Sequence, residues 1–242
     1  MIARAGQVLR ALAGERQGLS LAELATSVAL PKSTVHRIVA ALEAEGLTAT
    51  DPGNGRYLLG PEFIRLGSGQ HEDVRTRGRP LLELLSQKTN EAVDLSILIG
   101  DQVVFVDHIE AQRFHPLRAV SAIGASFPTY STANGRALLA ALTDEQAQKL
   151  VPVRLKADTP YTLTNREAVL EEVARVRKQG YAIVREEHTL GISAVGAVVH
   201  ARGHSVAAVS VPVPSPRFDG RETQLIAALL STCAQITAAL ES

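Results

Sequence analysis

The sequence predicts an α/β (α+β) fold in two parts: a small helical unit closed by a hairpin, then a larger mixed antiparallel sheet carrying helices. Three observations predict it. Residues 18–60 pass from a helix-capping signal through two short amphipathic helical patterns into a Gly-rich turn. Apolar strand patterns recur at both ends of residues 92–213, with helical patterns between them. An amphipathic stretch from Asp219 to Leu240 closes the chain.

Ser20-Leu21-Ala22-Glu23 is a capping box, in which the Ser20 hydroxyl accepts from the backbone N–H three residues on and Glu23 reaches back to the Ser20 N–H. A helix therefore starts near Leu21. Leu21, Leu24, Ala25 and Val28 repeat at helical spacing, and the pattern stops at Ala29-Leu30 before Pro31, a residue favoured in the first turn of a following helix. In that second helix Val35, Ile38, Val39 and Leu42 form the buried stripe. Lys32, Ser33, Thr34, His36 and Arg37 are thereby forced onto the opposite face and the N-terminal turn. Short hydroxyls, Lys and Arg gathered at a helix N-terminus suit phosphates and base edges in a major groove, which is the geometry of a helix-turn-helix. Gly46 closes the helix.

Leu47 to Thr50 and Tyr57 to Leu59 are strand-like, and Asp51-Pro52-Gly53-Asn54-Gly55 between them is dense in turn residues. This reads as a β-wing, with Arg56 on the return strand placed for a phosphate or the minor groove. The domain boundaries expected are residues 1–60 for the winged unit, 61–78 for a linker helix and 79–242 for the sheet domain.

In the larger domain a helical pattern from Val74 to Asn90 has an irregular start at Gly78 and Pro80. Strands are expected at Ala92 to Ile99 and Gln102 to Asp107, joined tightly by Gly100-Asp101, and again at Leu117 to Val120. Helices follow at Ser131 to Leu142, at Asp144 to Val151 behind a Thr143–Gln146 capping box, and from a Thr164/Glu167 cap to Gln179, ended by Gly180. Tyr181 to Glu187, Ile192 to His200 and Val206 to Val213 complete the sheet.

Composition narrows the class. The chain has 242 residues, 45% of them hydrophobic, enough for packed cores. No run reads as long and apolar enough to span a bilayer, and Met1-Ile2-Ala3-Arg4 opens no secretory segment, so a cytoplasmic protein without membrane partners is expected. The single cysteine, Cys233, lies in the apolar pattern of the last helix and reads as packing. Net charge is zero, and residues 1–66 carry seven basic side chains against six acidic ones. Nucleic-acid affinity must then come from placement and from two or more copies rather than from the bulk field.

Leu30-Pro31-Lys32-Ser33-Thr34-Val35-His36-Arg37, Gly180-Tyr181, Glu186-Glu187 and Gly191-Ile192 resemble the IclR family of bacterial transcriptional regulators. Pro128 to Ala140 and Ala207 to Val211 resemble that family's GAF-like ligand-binding domain. The resemblance implies a sequence-specific DNA reader, a homodimer or homotetramer on a pseudo-palindromic operator, with Ser20, Lys32, Ser33, Thr34, His36, Arg37 and Arg56 toward double-stranded DNA. It implies a small organic acid as effector, its carboxylate meeting backbone amides at Ala133 and Asn134, where a helix opens. Val184, Ala194, Ser210 and Pro212 match positions that are polar in a relative binding a small oxoacid, and only Ser210 keeps that character. Ala119, Phe127 and Ile192 match its apolar wall. A less polar pocket, suited to an aromatic or branched acid, is implied.

No Gly-x-Ser-x-Gly elbow, Walker loop or HExxH pair is present, and no catalytic residue, cofactor or metal is expected. Of the seven histidines, His108, His115, His188, His200 and His204 lack the paired spacing of a zinc site. Glu186 and Glu187, read as strand residues, would point to opposite faces. Two rival readings remain. One is an enzyme acting on a small acid through Ser210, Ser131 or His188, and the other a winged helix that mediates only protein contacts.

Overall fold

The computed structural model describes residues 1–15, 17–67, 72–111 and 122–242, and it divides into two compact units, Met1–Glu72 and Asp73–Ser242. In the first, helices α1 (Ile2–Ala13), α2 (Leu21–Ser27) and α3 (Lys32–Ala44) precede strands β1 (Thr48–Thr50) and β2 (Tyr57–Leu59), and α4 (Glu62–Gly67) follows. Val8, Leu12, Leu24, Ala25, Val35, Ile38, Val39 and Leu42 form its core. The stripes of α2 and α3 thus face one another. Helix α1 has no counterpart in the sequence reading: Met1 offers no side-chain cap, and only Val8 and Leu12 are fully buried.

The turn between α2 and α3 is sharp because Ala29 takes a left-handed conformation (φ 52°) and Leu30 N–H donates to the Ala25 carbonyl at 3.1 Å. The capping box forms as expected, with Ser20 N–H donating to Glu23 Oε2 at 2.8 Å and Glu23 N–H to Ser20 Oγ at 3.3 Å. Strands β1 and β2 pair antiparallel with Thr48 opposite Leu59, and Leu19 adds a bridge to Tyr57. The wing tip is locked by Gly53 N–H on Asp51 Oδ1 and Arg56 N–H on Asn54 Oδ1, at 2.8 and 2.9 Å.

The second unit is a six-stranded sheet in the order β5-β4-β3-β8-β7-β6. Its strands are β3 (Val93–Ile99), β4 (Gln102–Ile109), β5 (Ser126–Pro128), β6 (Ala182–Arg185), β7 (Ile192–Ala201) and β8 (His204–Pro214). Every pairing among the described strands is antiparallel, as the expected antiparallel sheet requires. Hairpins at Gly100-Asp101 and Arg202-Gly203 impose that sense on two pairs. The strand expected at Leu117–Val120 lies outside the described residues.

Helices α5 (Glu72–Thr89) and α10 (Glu222–Glu241) cover one face, where Leu82, Leu85, Leu225, Leu229 and Ile236 pack on Leu95, Ile97, Val195 and Val209. The other face carries α6 (Ala133–Ala140), α7 (Asp144–Leu150) and α8 (Arg166–Gln179), with Leu139, Val169, Val173 and Val176 against Ala182 and Val184. The short α9 (Ser215–Phe218) links β8 to α10.

Four local expectations change. The linker region holds two helices, α4 and α5, the second running through Gly78 and Pro80 without a break. Asn165, not Thr164, caps α8, its side chain accepting from Ala168 N–H at 2.8 Å. Strand β6 ends at Arg185, because Glu186 turns left-handed (φ 57°), so Glu186 and Glu187 belong to a turn. Helix α10 is, by length and composition, long and apolar enough to cross a membrane, contrary to the expectation that no run qualifies. Its apolar stripe is used against the sheet instead, and Cys233 lies within it, burial pushing that thiol up to about 12.

Candidate functional site

The first candidate surface is the leading turn of α3. Burial of Val35, Ile38, Val39 and Leu42 leaves Lys32, Ser33, His36 and Arg37 exposed and Thr34 half-buried on the opposite side. No side chain caps this helix and its first turn holds no acidic residue, in contrast to α2 with its full capping box. Pro31 accepts from Thr34 and Val35 through its carbonyl, and the N–H groups of Lys32 and Ser33 have no acceptor among the described residues. A helix end with free N–H groups, a lysine and an arginine is an anion-seeking surface.

Arg56, expected to meet a phosphate or the minor groove, also makes contacts within the unit. Its Nε donates to the Gly18 carbonyl at 3.0 Å and its Nη2 pairs with Glu23 Oε2 at 2.7 Å. The guanidinium therefore braces the wing against the N-terminus of α2, and Ser20 is engaged in the same cluster through Glu23.

The second candidate is a cavity of about 390 Å³ in the larger unit. Phe127, Ala133, Asn134, Val184, Ile192, Ala194, Ser210 and Pro212 all line it. Ala119 lies outside the described residues. Sheet register explains the convergence: Val184 is opposite Ala194 and Ala194 opposite Pro212, so three neighbouring strands present one apolar row. One step along, His108, Asp94, Ser210 and Gly196 stand side by side on β4, β3, β8 and β7.

The start of α6 closes this space. Thr132 caps the helix by accepting from Gly135 N–H at 3.3 Å, and Asn134 Nδ2 donates to Ser96 Oγ on β3 at 2.7 Å. The backbone N–H groups of Ala133 and Asn134 have no acceptor among the described residues. They can sit so near the sheet only because Gly196 lacks a side chain: a Cβ there would lie 2.6 Å from the Ala133 carbonyl carbon and 2.8 Å from the Asn134 nitrogen.

Sequence reasoning missed Asp94, Phe105, Ser131, Thr132, His188 and Thr189 in the lining. A β-bulge explains Phe105: the register shifts between Leu95 and Ser96, so Phe105 pairs with Ser96 while His108 pairs with Asp94, on one face despite odd spacing. Phe127 then joins Phe105 (centroids 5.1 Å) and the edge of His188 (4.6 Å) in an aromatic cluster. Asp158 Oδ2 receives both Ser131 Oγ (3.4 Å) and His188 Nδ1 (3.3 Å). That arrangement puts the carboxylate between hydroxyl and imidazole, so the histidine does not hold the serine proton as nucleophilic catalysis needs.

His108 Nδ1 lies 2.6 Å from Asp94 Oδ1. The hydrogen bond that its Nδ1 donates to Asp94 holds the imidazole above its ordinary value of 6.5, with burial opposing. A group raised on folding stabilises fully below its unfolded value, and the contribution is lost as pH rises through the folded one. Thermal melts of the protein and of Asp94→Asn should therefore differ most below pH 6.5 and converge as pH rises. A constant difference would deny the coupling.

A winged helix-turn-helix together with a sheet domain enclosing a cavity defines an effector-sensing DNA-binding regulator. Residues 1–52 match the IclR helix-turn-helix domain, and residues 68–238 match the domain described as bacterial transcriptional regulator IclR C-terminal. The chain belongs to the IclR family and is a DNA-binding transcriptional regulator, not an enzyme. It is 47% identical over 239 residues to the HTH-type transcriptional regulator Rv1719 of Mycobacterium tuberculosis, covering 98% of this chain and 91% of that one. Among solved structures, IclR of Thermotoga maritima is similar at 26% identity and TM-score 0.77, covering 100% and 98% of the two chains. An IclR homologue from Microbacterium hydrocarbonoxydans complexed with 4-hydroxybenzoate shares the fold at TM-score 0.82 and 21% identity, covering 99% and 98%.

Proposed function

We propose that this protein acts in the cytoplasm as a homodimer or homotetramer, reads a pseudo-palindromic operator through α3 of each copy, and responds to a small organic acid of aromatic or branched body. The observation that carries the reading is the pair of unclaimed N–H groups at Ala133 and Asn134 on the wall of a mainly apolar cavity. Helix-start amides favour a carboxylate, and the row Val184, Ala194 and Pro212 with Phe127 and Ile192 favours an apolar body over a two- or three-carbon one.

Calorimetric titration of the full-length protein with glyoxylate, pyruvate, benzoate and 4-hydroxybenzoate tests this. The aromatic acids should bind tighter, and tighter binding of the small oxoacids would reject the reading. Ala194→Phe, which fills the cavity from β7, should abolish the acid response and leave operator binding in place; an unchanged response would remove Ala194 from the site.

Lys32, Ser33, Thr34, His36 and Arg37 are assigned to the DNA face, together with Ser20, which caps α2, and Arg56, which pairs with Glu23 in its first turn. Arg37→Ala is expected to weaken operator binding by about 1–3 kcal/mol if the guanidinium reads a base, and to relax specificity there. Competition with scrambled DNA separates this from a phosphate contact, whose loss weakens all sequences alike. Unaltered affinity for both DNAs would take Arg37 off the interface.

A further inference from the structure

In the acid-binding reading the effector's carboxylate meets two backbone N–H groups and no charged partner. Asp94, 2% exposed, also lines the cavity, so an entering anion shares a mainly apolar enclosure with a second carboxylate. A cationic side chain would offset that repulsion. Among the described lining residues only His188 can become one.

His188 stands in the turn after β6, one edge of the sheet, and its ring packs at 4.6 Å against Phe127 of β5, the other edge. The contact joins the two outer strands beside the cavity that both residues line. Asp158 Oδ2, which also receives Ser131 Oγ at 3.4 Å, meets Nδ1 of the ring at 3.3 Å. A carboxylate only accepts, so Nδ1 carries the hydrogen and Nε2 is the nitrogen left for a ligand. Ser131 stands two residues before Ala133, and the shared Asp158 oxygen sets the imidazole within two hydrogen-bond lengths of the segment leading into the α6 amides. Asp158 is the charged group in contact with the ring. Glu187 beside it is paired with Arg136 of α6, and Glu186 in the same turn accepts from Gly191 N–H at 2.9 Å. Asp94 with His108 lies farther along, on β3 and β4, and Phe127 brings no charge from β5.

Resting on the acid-binding reading, we propose that His188, as an imidazolium, is the side-chain partner of the effector's carboxylate. It donates from Nε2 while the Ala133 and Asn134 amides donate from the start of α6. A neutral ring keeps its hydrogen on Nδ1 for Asp158 and offers the carboxylate only the Nε2 lone pair, so loss of the proton turns attraction into repulsion. Acid binding is therefore strongest at low pH and weakens as pH rises. The site selects an ionised acid over a neutral amide of the same shape.

Calorimetry on the full-length protein from about pH 6 to about pH 8.5, the range in which imidazoles titrate, tests this. The probes are benzoate and phenylacetate, with benzamide and phenylacetamide as their neutral counterparts. Affinity for the acids should fall about tenfold or more as pH rises, while affinity for the amides holds within about twofold. His188→Gln keeps a hydrogen-bonding side chain without a titrating ring. In it the acids should lose their pH dependence, and at low pH their advantage over the amides should shrink about tenfold. A histidine that only packs on Phe127 would give neither change. Acid binding that stays level across the range overturns the proposal while the acid-binding reading stands. So does a pH dependence that survives in His188→Gln, since it then belongs to another group such as His108. Failure of both acids to bind at millimolar concentration overturns both. Should His188→Gln not fold, the His188 ring resonances of the unaltered protein decide: bound acid must carry their titration to higher pH, and an unmoved titration overturns the proposal.

Discussion

Glu187→Gln is expected to destabilise the larger domain by about 3–5 kcal/mol, because it strands a buried guanidinium. Arg136 and Glu187 are 2% and 11% exposed at their side chains, and they meet through two parallel contacts, Nη1 to Oε1 at 2.8 Å and Nη2 to Oε2. Arg136 Nε also donates to the Tyr130 carbonyl at 2.9 Å, and Glu187 accepts from Leu163 N–H at 3.3 Å. The Glu187 carbonyl receives the hydroxyls of Thr159 and Thr162. One residue therefore ties α6, the 159–163 loop and the turn after β6 together. For a domain of this size the loss corresponds to a fall in melting temperature of roughly 6–20 °C. Replacing both partners, as Arg136→Met with Glu187→Met, removes the orphaned charge and should recover most of that loss. A single variant no less stable than the double would show that the pair is not buried in solution.

Gly196→Ala is expected to abolish the acid response, although it adds only a methyl group. The new Cβ would lie 2.6 and 2.7 Å from the Ala133 carbonyl carbon and oxygen and 2.8 Å from the Asn134 nitrogen. These are backbone atoms at the start of a helix, so the whole of α6 must lift from β7. Overpacking of this sort costs about 1–3 kcal/mol in stability. The larger effect falls on function, since moving the two amides away from the cavity misplaces the backbone donors proposed for the carboxylate. Titration of a bound acid should show at least a tenfold loss, while DNA binding without acid persists. Undiminished acid affinity in a folded Gly196→Ala protein would place the carboxylate elsewhere.

Much of the small unit was legible because its signals are local. A capping box needs four residues and the α3 stripe needs eight, and both formed as read. Helix α1 carries a stripe of its own in Ala5, Val8, Leu9 and Leu12, and it was passed over because no side-chain cap marks its start. Arg56 shows the limit of reading by position: its partner Glu23 is thirty-three residues away, and only the fold brings the two together.

In the larger unit the residues of the cavity became legible only through family resemblance, since Val184, Ala194 and Pro212 are ordinary core residues until register aligns them. Asp94 and Ser96 did leave a signal. Two polar residues at a spacing of two inside an otherwise apolar strand mark one face as facing something other than core. Gly196 left none, because its necessity depends on which helix start lies above it. The end of β6 was misjudged since nothing in the Arg185-Glu186-Glu187 run announces a left-handed residue.

The central claim is that occupation of the cavity and grip on DNA are coupled, which requires the acid to favour one arrangement of the recognition helices over another. Fluorescence anisotropy of the full-length protein on labelled DNA from its own upstream region, with and without a saturating acid first shown to bind by calorimetry, measures that coupling. Operator affinity should change by about 5- to 150-fold on saturation, with scrambled DNA bound weakly throughout. An acid that fills the cavity and leaves operator affinity where it was would contradict the claim.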